Sequence, residues 1–319
     1  MMLAPLACFL YPMLVIQQRP DWESASAMPA VVRRALSEQP RWRYTGTRVV
    51  TYRRGPELLE HTEFVTRDGW QVRIEFPGES KYSGQIIVET ESDRRHFDAK
   101  KNEIHITPPR REALFEHIRG SWRGEHRIQV TEESGDRVAG FSSRLVKVLD
   151  GSGNRIQELN IEPHSGVVLA RRLYDEVGTQ VGSFEFREIN LHPSIDPSIF
   201  TLRRNGARVT TPVDDLRRVV ANTNFVPMVL ASSTGLQLDS ARVRDIAGNP
   251  VLMSQYVSPL GRVILFQLSV GVDPKALDRR APKNIHAVTE KIEGRWFVLV
   301  GPLDESKLRS ALSTLRSGT

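Results

Sequence analysis

The chain has 319 residues, 39% of them hydrophobic and 26% charged, which is enough for two folded units and excludes collagen-like, repetitive or disordered classes. Its 44 Lys and Arg against 38 Asp and Glu give a net charge of +6 spread along the whole sequence. No contiguous basic and aromatic patch of the kind a nucleic-acid binder needs is present.

Met1 to Ile16 is an apolar run interrupted by Pro5 and Pro12, too short to span a bilayer comfortably, and residues 1–27 read as an export signal. Ala25-Ser26-Ala27 is the candidate cleavage site. No Lys or Arg precedes Arg19, so a misassigned start, an uncleaved anchor and a non-exported chain are the alternatives. The single cysteine, Cys8, lies in this leader and cannot form an internal disulfide. Pro5-Leu6-Ala7-Cys8 has the look of a lipoprotein box, but too little apolar sequence precedes it.

Val31, Val32, Ala35 and Leu36 fall at helical spacing between Ala27 and Glu38, which predicts a helix ending at Pro40. From Trp42 the period becomes two. Trp42, Tyr44, Val50 and Tyr52 share one face of a long strand, with Thr47, Val49 and Thr51 on the other. Asp68-Gly69 is a hairpin turn between His61–Thr66 and Trp70–Phe76. In the second arm Trp70, Val72, Ile74 and Phe76 alternate with Gln71, Arg73 and Glu75, predicting one buried and one wet face. Strands follow at 85–90, 94–98 and 104–107, then a short helix over Arg111–Arg119, then strands at 128–131, 141–149, 156–161, 167–174 and 183–189. About ten strands joined by Gly-, Ser- and Asn-rich turns predict an antiparallel meander that curls and is plugged by a few helices.

This large domain, residues 28–201, closes near Phe200. Residues 202–212 are polar and basic and read as a linker. Residues 213–319 form a second unit. Asp214 and Asp215 open a helix over Leu216–Ala221, strands follow at 242–245, 251–257, 262–270, 287–292 and 296–300, and a helix from Asp304 to Leu315 ends it. The fold class is α+β and mostly β: an open antiparallel half-barrel with a helical plug, plus a smaller C-terminal α+β domain.

The residues for catalysis are not assembled in any motif. The eight histidines have no metal-ligand spacing, and His105, alternating with Ile104 and Ile106, reads as a strand residue facing the surface or the barrel. Gly151-Ser152-Gly153 is not followed by Lys-Ser or Lys-Thr, so it reads as a hairpin turn. Glu132-Glu133 and Asp214-Asp215 are accounted for by a turn and a helix start. The sequence therefore suggests no catalytic residue, metal ligand or cofactor. It offers instead an apolar face, and Trp70, Val72, Ile74, Phe76, Phe184 and Phe186 are the candidate ligand-binding residues. The alternative is that they pack a helix such as 31–36 and leave no space.

Several of these segments together resemble the periplasmic sigma-E regulatory family called MucB/RseB. They are Tyr44-Thr45-Gly46-Thr47, Asp136 to Gly140, Pro163 to Leu169, Phe184 to Ile189 with Asp196 to Phe200, Gly261 to Val270, and Trp296 to Gly301. The resemblance spans most of the chain after Val31 and rests on structural motifs. It implies a large domain like the outer-membrane lipoprotein carriers, open to a lipid or lipoprotein ligand. It also implies a C-terminal domain that binds the exported part of an anti-sigma factor in the cell envelope. The chain departs from the family in its unbasic leader and in Phe225 to Leu236, where a Pro-rich aromatic loop is usual and only Pro227 and Gly235 remain. The expected function is thus non-enzymatic regulation of envelope stress signalling, with a lipid or lipoprotein carrier as the alternative.

Overall fold

The computed structural model describes residues 28–78, 81–110, 114–115, 118–119, 127–175, 177–222, 226–246, 248–258, 261–274 and 285–317. The expected leader with its cleavage site, the first residues of the 111–119 helix, Phe225 and Pro259-Leu260 lie outside these residues.

The change to period two at Trp42 opens a meander. β1 (Arg43–Arg54) pairs with β2 (Glu57–Asp68), and β2 turns through Gly69 onto β3 (Gln71–Glu75). Gly69 has φ +61, and its N–H donates to the Trp42 carbonyl at 2.9 Å. A Cβ there would meet the Pro40 oxygen at 2.9 Å, so the turn depends on glycine. The meander continues through β4 (Ile86–Glu89), β5 (Arg94–Asp98) and β6 (Glu103–Thr107). After 127 come β7 (Ile128–Val138), β8 (Phe141–Asp150), β9 (Arg155–Ile161), β10 (Val168–Tyr174) and β11 (Gln180–Asn190). A last short strand, β12 (Arg208–Thr210), pairs parallel to β6. The sheet has twelve strands in the order β12-β6-β5-β4-β3-β2-β1-β11-β10-β9-β8-β7 and is not closed into a barrel.

Alternation sends one residue in two to the core face. On β7–β11 this face carries Val146, Val148, Leu159, Phe184 and Phe186, covered by α1 (Ala30–Glu38) through Val31, Val32 and Ala35. Leu114, Phe115 and Ile118 add to the same cluster, and the Arg119 N–H donates to the Phe115 carbonyl at 2.8 Å. α1 is nine residues long with no side-chain cap, marginal by itself, so burial holds it in place.

Between β3 and β4 the apolar core changes sides. Ile86, Val88, Phe97 and Ile104 lie on the opposite face and bury against Ile195, Phe200 and Leu202 from the segment after β11. The face predicted to be wet on β3 is therefore partly covered: the Arg73 side chain is largely buried and donates to the Ile199 carbonyl at 2.9 Å. Residues 202–212, expected as a linker, take part in this packing. Leu202 is in this cluster, β12 extends the sheet, and only 203–206 forms an exposed turn between them.

The second unit is a five-stranded antiparallel sheet. Its strands are β14 (Gln237–Ile246), β15 (Asn249–Ser258), β16 (Gly261–Leu268), β17 (His286–Ile292) and β18 (Arg295–Gly301), in the order β14-β15-β16-β18-β17. A two-residue pair joins β13 (Met228–Val229) to β19 (Arg316–Ser317). The helix expected after Asp214 is α2 (Pro212–Asn222). Its start is a reciprocal cap: Thr211 N–H and Oγ1 donate to the Asp214 carboxylate at 2.9 and 2.8 Å. α3 (Glu305–Leu312) starts on Asp304, which accepts from the Lys307 N–H at 2.8 Å. Leu216 and Val219 of α2 pack on Ala241 and Leu252, while Leu308, Ala311 and Leu312 of α3 cover Val263, Leu265 and Leu299.

Tyr256 lies in this second core. Burial pushes its phenol up to about 12, and its oxygen accepts from the Leu230 N–H at 3.1 Å. Tyr256→Phe leaves that buried donor unpaired, and the expected loss is about 1–3 kcal/mol in urea unfolding. An unchanged midpoint would mean that Leu230 finds another acceptor.

Candidate functional site

The six predicted ligand residues separate into four environments. Phe184 and Phe186 are inside the plugged core; Phe186 is 1% exposed, with its ring edge-on to Tyr44 at 5.5 Å and to Phe184 at 6.1 Å. Val72 and Ile74 are half-buried at the margin of that core, on the same face. Phe76 joins His61, Tyr82 and Tyr52 in a separate ring cluster at the end of the sheet. His61 lies 5.5 Å from Phe76, 5.0 Å from Tyr82 and 6.0 Å from Tyr52. Trp70, in the hairpin turn, has the Arg67 guanidinium 5.8 Å from its ring, and the same guanidinium lies 5.0 Å from the Trp42 ring.

These positions follow from strand register. Val65 faces Ile74 and Gly46, Arg67 faces Val72 and Tyr44, and Ile74 faces Ile87 across β3 and β4. The core face of β1–β3 thus presents Val72 and Ile74 as half-buried neighbours on β3, with half-buried Val50 across β2 opposite His61. On one side, in sheet order, lies the fully packed core under α1. On the other the same face turns polar, with Glu89, Arg94, His96, His105, Thr107 and Thr210 in successive cross-strand pairs.

Sequence reasoning missed the charges within this face. Arg48, Glu63 and Arg67 occupy positions in phase with Tyr44, Val65 and Val50 and are buried. Arg48 Nε donates to Glu63 Oε2 at 2.8 Å, His61 Nε2 lies 2.9 Å from Glu63 Oε1, and the Arg48 guanidinium lies 4.8 Å from the Phe184 ring. Burial pushes the Glu63 carboxyl up, but the His61 hydrogen bond and the Arg48 charge outweigh it and hold the group below its ordinary range. A charged residue in phase with an alternating apolar face was the available signal.

Across the polar end the small domain is docked. Arg110, just past β6, grips Asp239 of β14, with Nη2 donating at 2.9 and 2.8 Å to its two oxygens. His105 Nδ1 lies 2.9 Å from Thr210 Oγ1, and its Nε2 lies 3.9 Å from Asp215 of α2. Burial pushes the Asp215 carboxyl up, against the pull of His105 and Arg218. His105 therefore faces the barrel side and joins the junction.

Among known structures the chain is similar to MucB. A crystal structure of MucB aligns with 90% of this chain and 96% of its own at 15% identity and a TM-score of 0.46. The Pseudomonas aeruginosa MucA/MucB complex aligns with 90% of this chain and 97% of its own at 15% identity and a TM-score of 0.48. A LolA superfamily protein from Nitrosomonas europaea aligns with 54% of this chain and 96% of its own, at 14% identity and a TM-score of 0.28. No family model matches the sequence, and no curated protein does. Among the described residues no three His, Cys, Asp or Glu side chains are grouped to hold a metal ion, and no helix is long and apolar enough to cross a membrane.

Proposed function

We propose that the chain is an exported, non-enzymatic regulatory protein of the cell envelope. Its large domain senses an apolar or lipidated ligand, and its small domain binds a protein partner, the exported part of an anti-sigma factor. The observation that supports the ligand half is the half-buried pair Val72 and Ile74 on β3, with Trp70 and Phe76 in phase at either end of the same alternating run. An acyl chain laid on such a face gains about 0.8 kcal/mol per methylene buried. The partner half takes its chemistry from the family resemblance; MucB itself has been solved in complex with MucA. A carrier of lipoproteins is the second reading, and it leaves residues 213–319 without a role.

The test is capture of a fluorescent fatty acid, cis-parinaric acid, by the full chain. Ile74→Asp sets a carboxylate into that face and is expected to weaken capture by about tenfold or more. Val72→Thr changes polarity at nearly constant size and should weaken it by a smaller factor. Both are read beside near-ultraviolet circular dichroism, so that loss of fold is told apart from loss of binding. A parent protein that folds and captures no acyl probe overturns the ligand half of the reading and leaves a protein-interaction scaffold.

A further inference from the structure

The small-domain sheet has two faces, and its helices cover one of them. α2 packs on Ala241 and Leu252 and α3 on Val263, Leu265 and Leu299, so alternation turns Met253 of β15 and Ile264 and Phe266 of β16 to the opposite side. Cross-strand pairing runs Arg242, Met253, Phe266, Val298 straight over four strands of that side. At one end of it Val251, Leu268 and Val298 are buried, with Val272 and Trp296 packed against them. Over the rest, Met253, Val257, Ile264 and Phe266 are half-buried, and among the described residues no helix lies on them.

The charged strand positions in phase with this face are all cationic: Arg242 and Arg244 on β14, Arg262 on β16 and Lys291 on β17. The three arginines are exposed, and among the described residues no carboxylate pairs with any of them. On the large sheet, by contrast, Arg144 pairs with Glu132 and Arg155 with Glu158. Burial pushes the Arg242 guanidinium down, and the charges of Arg244 and Arg262 push it further. β14 and β16 are two strand spacings apart, about 10 Å, with Met253 and Val257 of β15 between them. An apolar centre rimmed by uncompensated arginines has the composition of a protein interface, and it complements a partner that brings carboxylates.

We propose that this open face of the small-domain sheet seats a partner segment that carries acidic side chains on either side of an apolar stripe. Arg242, Arg244 and Arg262 take the carboxylates, for which the guanidinium fork is shaped, and Met253, Ile264 and Phe266 take the apolar side chains. A lipid surface is the poorer match. Surface-bound membrane elements push apolar side chains into the acyl layer, whereas these lie half-buried on a sheet. Such a seat presupposes that the small domain is the partner-binding half, and adds the face it uses and the chemistry it takes.

The test pans a displayed library of random short peptides against the full chain. Enrichment of peptides with Asp or Glu around an apolar centre is expected. The strongest of them, labelled and titrated in solution, should bind about tenfold or more weakly to Arg242→Glu and to Arg262→Glu, and more weakly to the parent as salt is raised. Met253→Gln, which keeps the size and removes the apolar contact, should weaken binding by a smaller factor. Arg203→Glu makes the same charge change in the exposed turn 203–206 and should leave binding as it is. Near-ultraviolet circular dichroism checks that each variant is folded. Enriched peptides without acids overturn the seat, as does a loss of equal size in Arg203→Glu. Binding that survives both glutamate variants also overturns it, while leaving the small domain as a partner-binding unit that uses another surface. Vesicles of phosphatidylcholine with and without phosphatidylglycerol are the last arm: capture by the anionic vesicles that both glutamate variants abolish, with no acidic peptide enriched, assigns the face to lipid and overturns the peptide seat. Capture of the fatty acid by the large domain is scored separately.

Discussion

Gly166→Val is expected to lower the stability of the large domain by about 4 kcal/mol, from a backbone term of about 1–3 and an overpacking term of about 1–3. Gly166 has φ +70, and a Cβ on it would lie 2.8 Å from the Cα and 3.0 Å from the N of Ala35, in the buried face of α1. The turn cannot yield easily. Glu162 accepts from the N–H of His164 at 3.1 Å and of Ser165 at 2.6 Å, its carbonyl accepts from the Gly166 N–H at 2.9 Å, and Arg34 of α1 donates to the Pro163 carbonyl at 2.9 Å. The helix must therefore move off the sheet, exposing Val32 and Ala35. Gly153→Val is the control, because Gly153 also has positive φ, at +82, but nothing lies within 4 Å of its would-be Cβ. It should cost only the backbone term. Urea midpoints that fall equally for both variants would show that the contact with α1 does not bear on stability.

Removing Glu63 has an effect of similar size by a different route. In Glu63→Ala the Arg48 guanidinium, 8% exposed and set against Phe184, loses this carboxylate, and removing one member of a buried ion pair costs about 3–5 kcal/mol. The pair also fixes a sign for pH. Because the folded carboxyl is held below its ordinary 4.5, the stabilisation is complete above that value and is lost as pH falls through the lower folded value. Urea midpoints between about pH 3 and about pH 6 should thus drop on the acid side in the parent and drop less in Glu63→Gln, which begins less stable. Parallel curves for the two proteins would assign the acid loss to other carboxylates.

Both effects arise where the sequence was readable only in part. The turn at Pro163-His164-Ser165-Gly166 is evident from composition, but that Ala35 presses on it is not, since the two are brought together by the plug. The alternation of β1 and β2 is likewise plain from Trp42, Tyr44, Val50 and Tyr52. That Arg48 and Glu63 lie inward on those strands, paired with each other, needs the register Arg48 to Glu63 that the turn at Gly55 and Pro56 produces.

What the sequence determined by itself is local. Period two set the strands, Asp68-Gly69 set the hairpin, Thr211 with Asp214 and Asp304 set two helix starts, and the runs 251–257, 262–270 and 296–300 fell within β15, β16 with the residues just after it, and β18. Each of these depends on residues only a few positions apart. Tertiary structure alone decided which side of each strand is covered. The core changes faces between β3 and β4 because residues 195–202 return to cover Ile86 and Val88, residues 208–210 become a strand because β6 offers a free edge, and the junction charges on β4 to β6 are buried because Asp239 and Asp215 dock on them. An alternating strand states that its two faces differ; which face is buried is fixed by chain that arrives from a hundred residues away or more, and no local period records it.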